Sequence, residues 1–564
     1  MPTQLDKDIH RITEAVTAPG QMFELTEVTR RGVAMPAFKN APPSLAHYFA
    51  HFCNEKKDEL FIVDGEMRLT FGEVWQAASH VAHGLATTHA IEKGDRVGIA
   101  ARNSANWIIA YMGVLMAGGC ATLLNGWWTG EELAYGIDLC DCKLVLADPQ
   151  RAARLEGIAH SAKLVTFDHG QPAEGLAPVW AEGDTAMRML GQIGPDDLAT
   201  ILYTSGSTGH PKGAYSDHLG VVSGTMNYVC QTAMILQLLT ERNEAPTVQP
   251  SALVAVPLFH VTGEVPLLLQ SFAMGRKLVL MPKWDATEAL RLLEKEQITY
   301  FVGVPLMSYE IAVHPEREQY DLSQCKTFAG GGAARPIEHV KKIKDAFQDG
   351  YPVLGYGLTE TNGVGAGNLN ENYLAKPSST GMPSLPLVDM AILDDDGQPM
   401  AQGKVGEVSI RSVCNFLGYW KNEEATSAAY SDQAYFRTGD LGYLDEDNYL
   451  FIVDRKKDII IRGGENISCL EVEEAIYAHP AVAECSVFGL PDERFGEIPA
   501  AVYYTHEGKD VTVEDLQEFL REHIAAFKVP TVVWKSEEQL PRLGTQKVDK
   551  RSVKAAFAKE HLAA

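Results

Sequence analysis

The sequence predicts an α/β fold: a large N-terminal domain of α/β sheets plus a β-rich subdomain, followed by a small α+β C-terminal domain. Three observations predict it. Short apolar runs alternate with helical patterns through roughly the first 380 residues. Beyond that point the rhythm changes to short strands separated by Asp/Gly turns such as Asp396-Gly397. After residue 457 a new helix–strand–strand–helix–strand series begins, and Asp454-Arg455-Lys456-Lys457-Asp458 is the natural linker. Domains are therefore expected at 1–456 and 457–564.

Thr70-Phe71-Gly72-Glu73 is a capping box, and Val74, Ala77, Ala78, Val81 and Leu85 follow at helical spacing. Strand-like runs recur at 97–100, 144–147, 200–203, 253–256, 277–281 and 300–304, with helical patterns at 286–295 and 337–347. The uncharged stretch 103–130 is broken by Gly118-Gly119 into a helix-like half (107–116) and a strand-like half (120–124), so it reads as buried core and no transmembrane segment is expected. Strands at 389–393, 406–410 and 449–453 make the β-rich subdomain. The C-terminal unit reads as helix 470–478, strands 485–488 and 500–504, helix 513–526 and strand 532–535.

The composition is ordinary for a globular chain of 564 residues: 46% hydrophobic, 22% charged and 9% aromatic. With 49 Lys+Arg against 74 Asp+Glu, the formal net charge is −25. That argues against a nucleic-acid surface, which needs clustered cations. Nine cysteines are scattered with no C-x-x-C pair, as buried free thiols in a reducing, cytoplasmic setting would be, and a zinc site is not expected. The N-terminus carries no apolar segment of the secretory type.

Tyr203-Thr204-Ser205-Gly206-Ser207-Thr208-Gly209-His210-Pro211-Lys212-Gly213 follows a strand-like run. Backbone N–H and hydroxyl groups in such a loop can surround phosphate oxygens, and Lys212 adds charge. It is not a Walker A loop, because Pro211 and Gly213 stand where Gly and Ser/Thr are required. A plain surface turn is the bland alternative for the composition alone.

The full string resembles the phosphate-loop signature of the ANL superfamily of adenylate-forming enzymes, which contains acyl-CoA synthetases, adenylation domains and firefly-type luciferases. Six further segments resemble that family in order along nearly the whole chain. Pro257-Leu258-Phe259-His260-Val261-Thr262-Gly263 is similar to the acyl-pocket segment, and Ala329-Gly330-Gly331-Gly332-Ala333 to the adenine-binding turn. Gly355-Tyr356-Gly357-Leu358-Thr359-Glu360 is similar to the aromatic–Thr–Glu motif, and Tyr435-Phe436-Arg437-Thr438-Gly439-Asp440 to the ribose segment. The linker 454–458 with Arg462-Gly463-Gly464-Glu465-Asn466-Ile467 looks like the hinge and its following loop. Pro541-Arg542-Leu543-Gly544-Thr545-Gln546-Lys547 sits where the family keeps its C-terminal catalytic Lys.

The resemblance implies an acid–CoA ligase of the acyl-CoA synthetase type, using ATP, Mg²⁺ and CoA and no redox cofactor. It implies that Lys547 bridges the attacking carboxylate and the α-phosphate, that Thr359 and loop residues Thr204, Ser205, Gly206, Ser207, Thr208, Gly209 and Lys212 contact phosphates, and that Glu360 helps hold Mg²⁺. Tyr356, Gly357, Gly331, Gly332 and Ala333 are implied around adenine, and Asp440 and Arg455 around ribose. His260, Val261, Thr262, Gly303, Gly331, Gly355 and Gly363 are implied around the acyl group, with His260 shaping the pocket and a core histidine as its bland alternative. Lys457 aligns with the pivot of a mobile C-terminal domain, and Gly463, Gly464 and Glu465 with the CoA channel. Gln546 departs from the usual Gly before the catalytic Lys.

The small residues and the lack of an evident Arg or Lys predict a roomy apolar pocket, hence a medium- or long-chain or bulky hydrophobic acid. An aryl-acid–CoA ligase and a stand-alone adenylation enzyme loading a carrier protein are the alternatives. No carrier domain is expected after Lys547, and the end His561-Leu562-Ala563-Ala564 is not the peroxisomal tail of an insect luciferase. A non-enzymatic nucleotide-binding protein is disfavoured by the joint presence of Lys547, Glu360 and Asp440. A homodimer is compatible with the sequence. Trp127-Trp128 reads as core packing. Segment 542–554 carries five Lys/Arg against one acid and reads as a basic lid over ATP.

Overall fold

A computed structural model describes residues 3–183, 191–204, 211–333, 335–347, 349–543 and 547–559. Two largely parallel sheets dominate the N-terminal part. The first has seven strands, in the order Gly418–Tyr419, Lys212–Asp217, Leu198–Thr204, Cys120–Leu123, Arg96–Ala100, Leu144–Ala147 and Lys163–Thr166. The second has nine, centred on Tyr351–Tyr356, Thr327–Gly331, Tyr300–Gly303, Ser251–Val254 and Lys277–Leu280, which pair in parallel. Antiparallel strands occur only toward the edges of the two sheets. Parallel pairing requires crossover helices, which explains the alternation read in the sequence.

Those helices lie on both faces of each sheet. Ala252 and Val254 share a core with Val97, Ile99 and helix Ala105–Met116, while Leu253 between them joins the opposite core with helices Ala286–Lys295 and Ile337–Ala346. This alternation along one strand is what two buried faces demand. Helix Ala105–Met116 is buried at every position, so its all-round apolarity reflects a place between sheets. No described helix is long and apolar enough to cross a membrane. The Thr70–Glu73 box caps helix Phe71–Thr87 as expected.

A four-stranded antiparallel sheet, Asp389–Leu393, Gly406–Arg411, Phe436–Leu444 and Leu450–Arg455, forms the β-rich part. The smaller C-terminal domain is a five-stranded sheet with helices Cys469–Tyr477, Val513–His523 and Lys550–Phe557 and its own apolar core. Its strands Val482–Asp492 and Gly496–Thr505 run further than the apolar cores 485–488 and 500–504, because the hairpin ladder continues through Gly, Pro and isolated acidic positions that interrupt the apolar run. All nine cysteines are free and buried.

Two sequence readings change. Trp128 packs against Tyr203, but Trp127 is 45% exposed and lies beside the Arg151 guanidinium, so only one of the pair is core. The basic segment is not an open lid either. Arg542 pairs with Glu484 and Lys550 with Glu473, both within the same domain, and Lys554 donates to the Gly489 carbonyl.

Candidate active site

The site lies where the C-terminal ends of the nine-stranded sheet meet the four-stranded sheet, the phosphate-loop hairpin and the C-terminal domain. Strand register assembles it. Gly331 pairs with Gly355, so the turn after the first strand lies beside Tyr356. Asp440 pairs with Arg455, placing a carboxylate against a guanidinium. Thr204 pairs with Lys212 across the segment for which phosphate binding is expected. Residues 205–210 of that loop, which include Ser205, Gly206, Ser207, Thr208 and Gly209, lie outside the described residues, as does Gln546.

Asp440 is 4% exposed. It accepts from the Tyr356 hydroxyl at 2.7 Å and from Arg455 Nε at 3.0 Å. Burial pushes its carboxyl pKa up, and the Arg455 charge opposes that shift. Glu407, absent from the sequence reading, ties the neighbourhood together by accepting from the Gly439 N–H and from Arg437.

Thr359 and Glu360 stand on a 3₁₀ turn, Thr359–Thr361, ended by Asn362 in the left-handed region. The turn fits because Gly357 lacks a side chain: a Cβ there would fall 2.0 Å from the Gly363 carbonyl oxygen. Glu360 is buried and accepts from the Tyr419 hydroxyl at 2.8 Å, and burial raises its carboxyl pKa. Lys212 Nζ sits 4.9 Å from the Tyr419 ring centroid. Among the described residues no group of three His, Cys, Asp or Glu could cage a metal. A single buried carboxylate such as Glu360 does fit Mg²⁺ bound with a nucleotide, which takes one or two carboxylates plus phosphate oxygens and water.

Lys547 reaches this centre from the C-terminal domain. Arg542 bridges Val548 and the Leu543 N–H donates to the Lys547 carbonyl, so the lysine sits on a narrow hairpin. Its Nζ lies against Gly332, where a Cβ would be only 3.0 Å away. Gly332 also has φ +76°, a left-handed conformation that favours glycine. Burial and the Arg455 charge lower the Lys547 pKa to about 8, while Asp440 opposes them. His260 is pushed down to about 3 by burial and by the Lys547 charge, so it is neutral. Its Nδ1 accepts the Thr262 N–H at 3.3 Å, which leaves the ring proton on Nε2.

The acyl-pocket residues divide. A Cβ on Gly355 would meet nothing, so space opens there. Gly363 faces Val261, Pro266 and the Tyr228 hydroxyl, and Gly303 faces Met307 and Phe301. The Tyr228 hydroxyl donates to the Gly363 carbonyl. Space is thus open beside Gly355 and tight at Gly303, while the neighbours of Gly363 lie at ordinary contact distance. Tyr228, Met307 and Tyr419 carried no motif signal in the sequence.

Two other sequence-predicted groups are at the surface. Lys457 is exposed in the turn after strand Leu450–Arg455. Gly463, Gly464 and Glu465 are exposed at the tip of the hairpin Ile460–Arg462 and Glu465–Ile467.

Residues 49–420 match the family model described as AMP-binding enzyme, and residues 471–547 match its C-terminal domain. The chain is 31% identical over 527 residues to a long-chain-fatty-acid–CoA ligase of Bacillus subtilis (strain 168), covering 88% of this chain and 91% of that one. It is 32% identical over 497 residues to a feruloyl-CoA synthase of an Amycolatopsis species, covering 87% and 95%. Among solved structures, ATP-bound MatB from Rhodopseudomonas palustris superposes with a TM-score of 0.79 at 27% identity, covering 92% and 99%.

Proposed function

Since this chain belongs to the AMP-binding enzyme family of the ANL superfamily, we propose that it is an AMP-forming acid–CoA ligase acting on a hydrophobic carboxylic acid. In the first half-reaction the carboxylate oxygen attacks the α-phosphate of ATP and pyrophosphate leaves. In the second, the CoA thiol attacks the acyl carbonyl and AMP leaves. The observation that carries this reading is the approach of Lys547, from the C-terminal domain, to Gly332 beside the Asp440–Arg455 pair.

Negative charge gathers around phosphorus as the carboxylate attacks, so a cation placed there lowers the barrier. Lys547 is that cation. Asp440, oriented by Tyr356 and Arg455, accepts from the ribose hydroxyls. Tyr356, Gly331, Gly332, Ala333 and Gly357 border the adenine. Thr359, Lys212 and loop residues 204–209 hold the phosphates. Glu360 would hold Mg²⁺, which would supply positive charge to the phosphate oxygens. Neutral His260, close enough to feel the Lys547 charge, shapes the acyl side of the site without adding charge.

Lys457 is the pivot of the second step, in which the C-terminal domain turns, withdraws Lys547 and brings Gly463, Gly464 and Glu465 to line the CoA path. The proposed boundary falls between 456 and 457. The relatives act, by name, on acids as different as long-chain fatty acids and ferulate. The open space beside Gly355 and the apolar neighbours of Gly363, Val261 and Pro266, favour a hydrophobic acid, medium- to long-chain or bulky. The nine free thiols favour a cytoplasmic setting.

Pyrophosphate release is measured with and without CoA across acetate, octanoate, palmitate and coumarate, together with the thioester. Acid-dependent pyrophosphate release and a CoA thioester of octanoate, palmitate or coumarate are expected. Adenylate formation without transfer to CoA would assign a carrier protein as acceptor, and preference for acetate would contradict the hydrophobic pocket.

A further inference from the structure

We propose that Tyr419 is a positioning residue for the triphosphate end of the site: its hydroxyl orients the Glu360 carboxylate and its ring seats the Lys212 ammonium. The inference rests on the ATP reading above and adds a residue to it.

The placement of Tyr419 is built in from both sides. Its strand, Gly418–Tyr419, pairs with the strand that begins at Lys212, in the register Ala214 with Tyr419. The Leu417 and Trp420 N–H groups donate to the Tyr215 and Gly213 carbonyls at 2.8 and 2.7 Å, extending that ladder. On the other side the Phe416 N–H donates to the Glu360 carbonyl at 2.8 Å. One short segment therefore links the strand carrying Lys212 to the turn carrying Glu360.

The Tyr419 side chain joins the same two residues again. Its hydroxyl donates to Glu360 Oε1 at 2.8 Å. A hydroxyl has one proton, so the donation fixes the carboxylate's rotation and leaves Oε2 for a cation. The face of the ring lies under Lys212 Nζ at 4.9 Å, where the ring quadrupole attracts an ammonium. A lone carboxylate that shares Mg²⁺ with phosphate oxygens depends on its orientation more than a ligand in a closed cage does. Packing alone would need the ring against Phe416 but not the hydroxyl on Glu360.

The test is calorimetric binding of α,β-methylene-ATP, which cannot release pyrophosphate, with Mg²⁺ and with EDTA. Tyr419→Phe keeps the ring and is expected to lose about tenfold of the Mg²⁺-dependent tightening, with affinity in EDTA unchanged. Tyr419→Leu is expected to weaken binding in EDTA as well, because Lys212 loses its seat. In a Glu360→Gln background, Tyr419→Phe should cost no further Mg²⁺-dependent affinity. Wild-type Mg²⁺ dependence in Tyr419→Phe, or an additive loss in the double variant, overturns the proposal alone. Absence of any analogue binding by the wild-type chain overturns the ATP reading and the proposal together.

Discussion

Lys547 and His260 share one buried centre, and the same burial keeps them in opposite charge states. The histidine stays neutral across the physiological range, while the lysine is an ammonium only below about pH 8. In the proposed mechanism adenylate formation needs that ammonium, so its rate should fall as pH rises through about 8. Lys547→Arg, which holds its charge far higher, should run slower at neutral pH but show no alkaline fall in single-turnover assays. Glu264 tests burial elsewhere. It is fully buried beside the Tyr111 hydroxyl, and burial raises its pKa from 4.5 to about 7. A raised acid favours the protonated fold, so stability is full below about 4.5 and declines as pH rises to about 7. The loss is on the order of 3 kcal/mol above that window. Glu264→Gln should therefore melt higher than wild type at pH 8 and no higher at pH 4. The site residues carrying motifs were legible because their chemistry demands fixed types in a fixed order. Tyr419 and Glu407 were not, because each acts through a partner far away in sequence, Glu360 or Arg437. The basic segment misled for a similar reason: a charge count cannot show that Glu484 and Glu473 already neutralise Arg542 and Lys550.

At the scale of elements, periodicity performed well wherever a segment was buried on one known face. Helix Ala286–Lys295 and strands Leu144–Ala147, Asp389–Leu393 and Val532–Lys535 fall where the pattern places them. It failed at strand ends, where the hairpin ladder continues through Gly, Pro and isolated acidic positions, and at Trp127, where an apolar side chain is used at the surface. The turn at 456–458 is the element that the two-step reading stresses most. The Lys456 and Asp458 N–H groups are engaged with the Gly439 and Arg455 carbonyls, whereas the Lys457 N–H is not. Lys457→Pro therefore removes no hydrogen bond in the arrangement seen here but stiffens the backbone at the proposed pivot. Thioester formation should slow by roughly tenfold or more while adenylate formation changes much less. Equal rates for both steps in that variant would remove Lys457 as the pivot.

For the whole molecule, the docking of the small domain is the informative feature. Ser468 and Leu470 bond back to Val453 and Asp454 of the last body strand, and His506 approaches Tyr309 on the nine-stranded sheet's outer helix. That arrangement presents Lys547 and leaves Gly463–Gly464 exposed, as a state suited to the first half-reaction would. Two domains and their order were legible from composition and rhythm alone. Their mutual placement was not, because it depends on side chains such as Tyr309 and His506 that look like ordinary surface residues in sequence. In the proposed mechanism one site performs two steps and Lys547 serves only the first. The most direct measurement compares Lys547→Ala with wild type in each step separately, using acid plus ATP for one and supplied acyl-adenylate plus CoA for the other. The account predicts a loss of roughly 100- to 1000-fold in adenylate formation with thioester formation much less affected. An equal loss in both steps would contradict it.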